Sequence, residues 1–556
     1  MVSIFTELTK AQPEPTWADI NWPGVERTVR RLQERIYRAT EREEWHKVKQ
    51  LQKLLVRATS TKLLAIGRVT QENRGKRTAG VDGVLCDTPE ARMQLLRDGL
   101  SLNGYRPQPV RRVSIPNSDG KQRPLGIPCV KDRVMQAIVK AALEPEWEAR
   151  FEANSYGFRP GRSTMDAIVA IHTTLNRQGA SAWILDADIK GCFDNIEHTT
   201  LLARIPVFAT VIRRWLKAGV VELGHYTDTD TGTPQGGVIS PLLANIALDG
   251  MERLFGAETP TGTPIPPAKR KRPNTGISLI RYADDFVVTA PSREVLETYV
   301  QPRITAFLTQ RGLILSETKT RIVHSTEGFN FLGFQVRRFK RSLLAIPQKA
   351  KVQNHLHSIK TYLDSHQQAP AGQIIRDLNP IIRGWANYYR HCAAKETFTN
   401  VRHRQWEMLW RWAKRRHPNK GKRWVKGRYF RNDGYWTFAD GNAELVKPTS
   451  LPITRYVKVR GRSSPYDPKL RSYWQERTKR TIARQTYSQV RLSLLRRYGY
   501  RCGMCWLPFR EDELIDEDHI TPRHAGGSDA LENKRLVHQW CHHQYHQRRG
   551  YKVLKA

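Results

Sequence analysis

Two short apolar stretches, residues 278–280 and 286–288, flank the tetrapeptide Tyr-Ala-Asp-Asp at positions 282–285. This pattern predicts two strands joined by a tight turn that projects the adjacent acids Asp284 and Asp285. Neighbouring side chains of a regular strand point to opposite faces, so only a turn or a strand end lets both carboxylates serve one site. An acidic surface turn has the same pattern, because Asp suits turns, and the rest of the chain must decide between the two.

A second acidic segment, residues 183–190, alternates apolar residues with Asp186 and Asp188. The two-residue repeat of a strand puts both acids on one face, so spacing alone does not decide which of them meets Asp284. At this point the chain resembles a reverse transcriptase, and specifically the protein encoded within a group II intron. The resemblance implies that Asp188, Asp284 and Asp285 are the catalytic acids, and it leaves the role of Asp186 open.

The chemistry of such an enzyme agrees with that assignment. DNA synthesis needs in-line attack of a 3′ hydroxyl on a triphosphate, with one divalent ion activating the hydroxyl and a second holding the phosphates. Carboxylate oxygens suit Mg²⁺, which keeps several waters and takes few protein ligands. The resemblance therefore implies two Mg²⁺ ions, with Mn²⁺ as an alternative, held by Asp188, Asp284 and Asp285.

Segments that resemble the fingers of the same family lie at residues 112–116 and 120–128. Their basic residues would clasp the incoming triphosphate, which makes Arg123 the expected nucleotide contact. The family often has a lysine where this chain has Asn117, so Lys121 is the expected substitute.

Three further residues match nucleotide-binding positions of the family. Gln235 lies in residues 233–241, which resemble the segment that packs template and nucleotide against the palm, and its amide can both donate and accept a hydrogen bond. Phe193 matches an aromatic residue that would crowd a ribose 2′ hydroxyl. A lone Phe is more often a core residue, but the neighbouring acidic motif favours the functional reading here. Lys319 matches a lysine that would protonate the departing pyrophosphate, a role that the resemblance alone supports.

The composition independently predicts a polyanionic partner. Lys and Arg number 92 against 53 Asp and Glu, and the net charge of +39 far exceeds what solubility needs. No leader or bilayer-spanning stretch is evident, and the seven cysteines suggest no disulfide scaffold. We therefore expect a protein of the bacterial cytoplasm or nucleoid, without a membrane partner.

Helical patterns precede and follow the palm segments. Apolar spacing in residues 25–70 predicts paired amphipathic helices, and residues 378–390 resemble the thumb, or maturase, segment of intron-encoded proteins. In residues 402–431, twelve Lys or Arg accompany a single acid, Glu407, which indicates RNA contacts. The interleaved Trp406 and Trp410 have helical spacing, which favours core packing over base stacking.

Residues 447–469 are rich in Pro and Arg and are predicted to be extended or loop-like. They are either a plain linker or, as the resemblance implies, a region that contacts the DNA target.

The C-terminal residues carry a second chemistry. Cys502 and Cys505, and likewise His538 and Cys541, have the spacing at which soft ligands close a tetrahedral Zn²⁺ site. A structural zinc would hold together a segment too small to fold on an apolar core alone. The sequence leaves open an exchange in which His542 replaces Cys541 or His538.

Residues that follow the order of an HNH endonuclease overlap this segment: Asp518, His519, Asn533, His542 and His546. The resemblance implies that Asp518, His542 and His546 bind one Mg²⁺ ion, that His519 activates water and that Asn533 orients it. His542 and His546 lie one helical turn apart, and an imidazole can take a proton from water at physiological pH. A zinc ribbon that only binds DNA is the alternative, but it would not need Asp518, His519 and Asn533.

The predicted fold is multidomain α+β, with right-hand polymerase fingers and palm, a helical thumb (maturase X) domain, a basic DNA-binding region and a small zinc-stabilised ββα-metal HNH domain. The predicted boundaries are 1–100 for a helical N-terminal extension, 101–345 for fingers and palm, 346–445 for the thumb, 446–494 for the basic region and 495–556 for the HNH domain.

The resemblance implies an RNA-directed DNA polymerase that is also a maturase assisting intron splicing and an endonuclease that cuts one target strand to prime reverse transcription, as in retrohoming. Its partners would be intron RNA, in a ribonucleoprotein, target DNA and deoxynucleoside triphosphates. A non-catalytic splicing cofactor would not need the acids, and a standalone bacterial reverse transcriptase would not carry both residues 383–385 and an HNH tail. The particular RNA, the DNA site and the oligomeric state are undetermined.

Overall fold

The computed structural model describes residues 16–116, 122–176, 182–257, 265–266, 269–271, 274–340, 342–432, 434–485, 488–509 and 513–548. Asn117 and Lys121, the latter predicted to contact the triphosphate, lie outside these residues. Across the described ranges, no helix combines the length and the apolar character that crossing a membrane requires.

Runs of helices and runs of strands follow one another along the described chain. The strands are β1 (Val110–Pro116), β2 (Gln122–Ile127), β3 (Trp183–Asp188), β4 (Val220–Glu222), β5 (His225–Thr227), β6 (Ser278–Tyr282), β7 (Asp285–Ala290), β8 (Arg321–His324), β9 (Phe329–Phe331), β10 (Phe334–Phe339), β11 (Ser342–Pro347), β12 (Phe430–Asn432), β13 (Trp436–Asp440), β14 (Ala443–Glu444), β15 (Ile515–His519) and β16 (Lys534–His538). The helices are α1 (Trp22–Glu41), α2 (Trp45–Arg57), α3 (Thr59–Gly67), α4 (Pro89–Arg97), α5 (Val130–Arg150), α6 (Thr164–Leu175), α7 (Cys192–Asn195), α8 (His198–Ala203), α9 (Ala209–Leu216), α10 (Ser240–Leu248), α11 (Arg293–Val295), α12 (Gln301–Thr309), α13 (Lys349–Ser365), α14 (Ala371–Tyr389), α15 (Lys395–Arg416), α16 (Lys422–Tyr429), α17 (Arg471–Gln485), α18 (Gln489–Arg497) and α19 (Gln539–Arg548).

The N-terminal helices have the amphipathic pattern that the apolar spacing predicts. Asn21 caps α1 by accepting a hydrogen bond from the backbone N–H of Gly24 at 3.1 Å. Val25, Ile36 and Leu55 are fully buried, and α1, α2 and α3 all pack against α5. This N-terminal helical stack therefore belongs to the same apolar core as the palm.

The palm is a four-stranded antiparallel sheet in the order β6-β7-β3-β8. Phe286 and Val288 of β7 lie in the large core shared with the N-terminal helices, whereas Val287 lies in a second core beneath α6 and the β9–β11 sheet. Because successive strand residues point to opposite faces, a strand covered on both sides reads as a continuous apolar run. The fingers form a separate sheet in the order β2-β1-β4-β5.

The region predicted to be the thumb, which we call the thumb, consists of α13–α16 followed by the small sheet β12-β13-β14. Trp406 and Trp410 of α15 stack with ring centroids 5.7 Å apart, and both pack against the buried core of this domain. The prediction of core packing for these rings is confirmed. Trp424 of α16 differs, because 43% of it is exposed.

The extended segment that follows the thumb, with α17, forms what we call the strap, residues 451–485. It runs as irregular backbone up to a short turn before α17, as its composition predicts. The Asp166 carboxylate accepts hydrogen bonds from the backbone N–H of Val459 at 2.8 Å and from the Arg477 guanidinium at 3.3 Å. Arg471 donates to Glu34 of α1 at 2.7 Å. Several strap cations therefore hold the strap onto the palm and the N-terminal helices.

The C-terminal domain pairs β15 with β16 and adds α19 against both. Trp540, two residues after His538, meets Trp22 of α1 edge-to-face with centroids 5.9 Å apart. Leu507 and Trp540 both pack against the large core. The small C-terminal domain is thus docked on the N-terminal helical stack.

Two candidate metal-dependent active sites

The acidic tetrapeptide forms the predicted hairpin turn. Tyr282 lies opposite Asp285 in the β6–β7 register, which leaves Ala283 and Asp284 as the two turn residues. Ala283 has a φ of 57°, in the left-handed region that such tight turns require. Asp285 in turn lies directly opposite Asp188 at the end of β3. The fold therefore brings together the three acids that the resemblance implied.

A buried arginine that the sequence analysis missed holds this turn in place. Arg281 is 1% exposed, and one guanidinium nitrogen donates to the carbonyl of Ala283 and to Oδ1 of Asn245, both at 3.1 Å. Its other terminal nitrogen donates to Oγ of Ser155 at 2.8 Å. Nothing in the local sequence distinguishes this arginine from the many surface cations.

Glycine at position 157 permits the turn to lie against the neighbouring loop. A Cβ there would come within 2.3 Å of the backbone nitrogen of Ala283, so any larger residue would displace the acids. The carbonyl of Gly157 also accepts a hydrogen bond from Asn245 at 2.8 Å. Asn245 thus ties both the loop and, through Arg281, the turn to α10.

The palm acids repel one another. Burial is the largest cause that raises the pKa of Asp285 to about 7, and the negative charges of Asp284 and Asp188 add to it. Burial and the Asp188 charge also raise the pKa of Asp284. The three carboxylates do not all come within 4.8 Å of one another, unlike the clusters of the C-terminal domain. A concentration of mutually repelling carboxylates is a donor set that fits divalent cations.

Lys319 and Arg321 each neutralise one acid of β3. The Lys319 ammonium donates to Asp188 at 2.8 Å, and this contact raises the lysine pKa. Arg321 of β8, directly opposite Asp186, donates to it at 3.1 Å. The structure thereby decides which of the two acids meets the turn. Asp188 faces Asp285 and Lys319, whereas Asp186 is paired with Arg321.

Two of the predicted nucleotide-binding residues meet where the fingers sheet contacts the loop that precedes α10. Arg123 of β2 is exposed and donates to Oε1 of Gln235 at 2.9 Å, while Nε2 of Gln235 lies 3.5 Å from Oδ2 of Asp194. Phe193 is 7% exposed and meets Phe158 edge-to-face at 6.4 Å. Phe193 is therefore mostly buried, and its role beside the ribose stays a prediction.

The predicted zinc ligands form one cluster. The sulfurs of Cys502, Cys505 and Cys541 and a ring nitrogen of His538 all lie within 4.8 Å of one another. The His538 Nδ1 faces the Cys505 sulfur at 3.3 Å, and its Nε2 lies 3.1 Å from the Glu513 carboxylate. Three thiols and an imidazole whose other nitrogen meets a carboxylate are a donor set that fits structural zinc. Glu513 was not identified from the sequence.

A second cluster lies beside it. The Asp518 carboxylate of β15 has His542 Nε2 at 3.3 Å and His546 Nε2 at 3.8 Å. His542 is therefore placed with Asp518, while His538 and Cys541 complete the thiol cluster. Asp516, which the sequence analysis missed, accepts from His542 Nδ1 at 3.0 Å. Hydrogen bonds to Asp516 and Asp518 raise the pKa of His542 to about 9.

His519 and Asn533 occupy the adjoining loop. His519 Nε2 lies 2.8 Å from Oδ1 of Asp529, a residue that the sequence analysis did not single out. Asn533 uses its amide on backbone groups, accepting from the N–H of Thr521 at 2.8 Å and donating to the carbonyl of Ser528 at 2.7 Å. Asn533 thus fixes the shape of the loop that links His519 to Asp529.

These two arrangements define the class of protein. A fingers sheet beside a palm sheet with acids on adjoining strands is a template-directed nucleic acid polymerase, and a ββα unit with Asp and His clusters is a metal-dependent nuclease. Comparison with known proteins identifies the polymerase.

Four family models match successive parts of the chain. Residues 17–98 match the N-terminal domain of reverse transcriptase, and residues 115–336 match reverse transcriptase (RNA-dependent DNA polymerase). Residues 352–430 match the group II intron maturase-specific domain, and residues 502–548 match HNH endonuclease. Enzymes of both catalytic families use divalent metal ions.

Individual relatives agree with these matches. Protein YkfC of Escherichia coli K12 is 33% identical over 351 residues, which cover 56% of this chain and 91% of the relative. Group II intron-encoded protein LtrA of Lactococcus lactis is also 33% identical, over 48% of this chain and 53% of its own length. An uncharacterized 91 kDa protein in the cob intron of Schizosaccharomyces pombe is 29% identical over 57% of this chain and 48% of its own length. This chain belongs to the family of group II intron-encoded reverse transcriptases with maturase-specific and HNH endonuclease domains.

Proposed function

We propose that this chain copies an intron RNA into DNA from a 3′ end that its own HNH domain produces in a target DNA. The observation that carries the proposal is the presence of two separate acid-based sites in one chain. Their domains share a core through α1, which packs against both α5 and Trp540. A nick made by one domain would then be available to the other.

In the palm, Asp188, Asp284 and Asp285 would hold two Mg²⁺ ions, which supply activation of the primer hydroxyl and charge neutralisation at the triphosphate. Arg123 lies opposite the palm loop, where it can bind the triphosphate of the incoming nucleotide. Lys319 already lies within hydrogen-bond distance of Asp188, and it can turn its ammonium proton to the departing pyrophosphate. Arg281 keeps the turn acids from moving as charge develops.

In the HNH domain, His519 would act as the general base. Because Nε2 donates to the Asp529 carboxylate, Nδ1 is the nitrogen left to accept a proton from water. Asn533 holds the loop that fixes this ring, and Asp518, His542 and His546 would hold one Mg²⁺ ion that stabilises charge on the phosphate. The Cys502, Cys505, His538 and Cys541 cluster would hold a structural Zn²⁺.

The basic thumb would hold the intron RNA and assist its splicing, in a ribonucleoprotein that carries the RNA to the target. The support is the match of residues 352–430 to a maturase-specific domain, together with the excess of cations over that region. The second target strand would be cut by the RNA itself through reverse splicing, so a single nuclease site in the protein suffices.

Two variants separate the activities. Purified protein with primed RNA, deoxynucleotides and Mg²⁺ should make cDNA in the wild type and in His519→Ala, but not in Asp284→Ala. The ribonucleoprotein, on DNA that spans the intron insertion site, should nick with Asp284→Ala and not with His519→Ala. Equal cDNA from the wild type and Asp284→Ala would refute the palm assignment. Loss of both activities in His519→Ala would show that the nuclease site cannot be altered independently.

A further inference from the structure

We propose that the thumb contains a pocket that receives one unpaired nucleobase of an RNA. The thumb pocket is a cavity of about 190 Å³ between α15 and β13. Gln405, Trp406, Tyr435 and Trp436 are among the residues that line it. The thumb pocket shares no lining residue with the palm acids or with the two clusters of the C-terminal domain. This proposal rests on the proposed function, because it takes RNA as the polymer that the thumb binds.

Two polar groups in the wall of the pocket have no partner. The amide nitrogen of Gln405 and the indole nitrogen of Trp406 are buried and donate no hydrogen bond to any described residue. The Gln405 residue as a whole is 3% exposed. Buried donors without acceptors are rare in folded proteins and cost free energy. A ligand that brings acceptor atoms into the pocket would satisfy them.

The other walls are aromatic and partly open. Tyr435 is 60% exposed and Trp436 is 38% exposed, a high exposure for rings of their size. The Arg402 guanidinium lies 4.2 Å from the centroid of the Tyr435 ring. Exposed rings with cations over or beside them are the usual platform on which unpaired bases stack.

The size of the cavity selects one ring system. An apolar cavity of about 150 Å³ accepts a benzene molecule, whereas pockets for larger small molecules start at about 300 Å³. The thumb pocket, at about 190 Å³, therefore suits a single planar base. Base edges carry the carbonyl and ring-nitrogen acceptors that the two unpartnered donors lack.

The charge around the pocket favours a nucleic acid over a protein segment. Arg402, His403 and Lys447 line it, and the acid of this helix face, Glu407, is already paired with Arg404 at 3.2 Å and with His403 at 3.3 Å. A phosphate on either side of the inserted base would thus meet Arg402 and Lys447. An apolar peptide would bring no negative charge to these side chains.

The test uses an RNA hairpin with a single bulged 2-aminopurine and the same hairpin with an abasic residue in the bulge. Binding is measured at elevated salt, which weakens the phosphate contacts shared by both RNAs. The wild type should bind the 2-aminopurine hairpin about 10-fold more tightly and quench its fluorescence. Trp436→Ala and Gln405→Leu should each lose the preference and leave abasic binding unchanged.

Trp424→Ala is the matched control, because Trp424 is an exposed thumb tryptophan beside Lys420 and lies outside the pocket. It should keep both the preference and the quenching. Equal affinity of the wild type for the two RNAs would overturn the pocket and point to a protein ligand, even with cDNA synthesis intact. Failure of the wild type to bind either RNA would contradict the RNA partner itself.

Discussion

The palm and the HNH domain each assemble acids for metal-dependent chemistry, but they position them in opposite ways. The palm takes Asp188 from β3 and Asp284 and Asp285 from a hairpin far along the chain, and a large shared core holds those strands together. The predicted HNH residues all lie between Cys502 and His546, around a small core that includes Cys502 and Cys541 themselves. Where the apolar core is small, we infer that the thiol cluster replaces it as the element that fixes the site.

Their electrostatics differ as well. In the palm, burial and like charges raise the pKa of Asp284 and of Asp285. In the HNH domain, hydrogen bonds from His542 and Arg535 outweigh burial and hold the pKa of Asp518 below its usual range. The palm acids therefore need bound cations to offset their mutual repulsion, whereas in the HNH domain His542 and Arg535 already offset the charge of Asp518.

Removal of zinc should separate the two regions most strongly. Cys502→Ser should abolish bound zinc and DNA nicking, because structural zinc contributes on the order of 10 kcal/mol to the folding of a small domain. cDNA synthesis on a primed template should stay within about twofold of the wild type, since the palm core does not contain this cluster. Zinc content and both activities are measured together.

Cys392→Ser provides the control for that experiment, because Cys392 is buried in the thumb, far from the cluster in sequence, and its sulfur donates to a backbone carbonyl as a hydroxyl also can. It should keep its zinc and both activities. Full nicking by zinc-free protein would contradict the idea that the cluster fixes the HNH site.

Substitution of each of the two acids on one face of β3 tests which of them belongs to the palm active site. Asp188→Asn should lower cDNA synthesis by on the order of 10³-fold, because it removes a charged ligand from the metal site. Asp186→Asn should lose little activity and at most about 1 kcal/mol of stability, because its partner Arg321 is half exposed. Single-turnover rates and thermal unfolding distinguish the two, and equal losses of activity would mean that Asp186 also takes part in the chemistry.

The pH dependence should differ between the sites. With a pKa of about 9, His542 is protonated at neutral pH and must lose its proton before it can bind a metal ion. Nicking at limiting Mg²⁺ should therefore rise by up to about tenfold per unit between pH 6 and 8. Asp285, with a pKa of about 7, is mostly ionised by pH 8, so cDNA synthesis should level off earlier.

Asp516→Asn sharpens this prediction, because the Asp516 carboxylate is the largest cause of the raised pKa of His542. The variant should shift the pH profile of nicking to lower pH without changing that of cDNA synthesis. An unchanged nicking profile would show that the titration of His542 does not limit metal binding.

The sequence predicts the parts of both sites that depend on local pattern. The apolar stretches at residues 278–280 and 286–288 predict the hairpin that the structure has, and the Cys502 and His538 pairs predict the thiol cluster. The sequence does not identify Arg281, because its partners Asn245 and Ser155 are distant in the chain. It does not identify Asp529 either, because the contact with His519 depends on the shape of an irregular loop. Charge counts similarly fail to show that Arg471 and Arg477 of the strap are paired with acids inside the protein.

The smallest expected effect concerns the contact that joins the two regions. Trp22 and Trp540 meet at 5.9 Å, and an aromatic pair of this kind contributes about 1 kcal/mol beyond its burial. A double-mutant cycle of Trp22→Ala and Trp540→Ala, measured by proteolytic release of the HNH domain, should give a coupling energy of about that size. Because such a coupling changes the equilibrium constant for docking only severalfold, nicking and cDNA synthesis assayed separately should remain near wild type. The yield of cDNA primed from the nicked strand should fall by at most the same factor, since only that product requires both domains on one DNA. A coupling energy of zero would mean that the domains are not docked through this contact in solution, and transfer of the 3′ end would then have to depend on the nucleic acid alone.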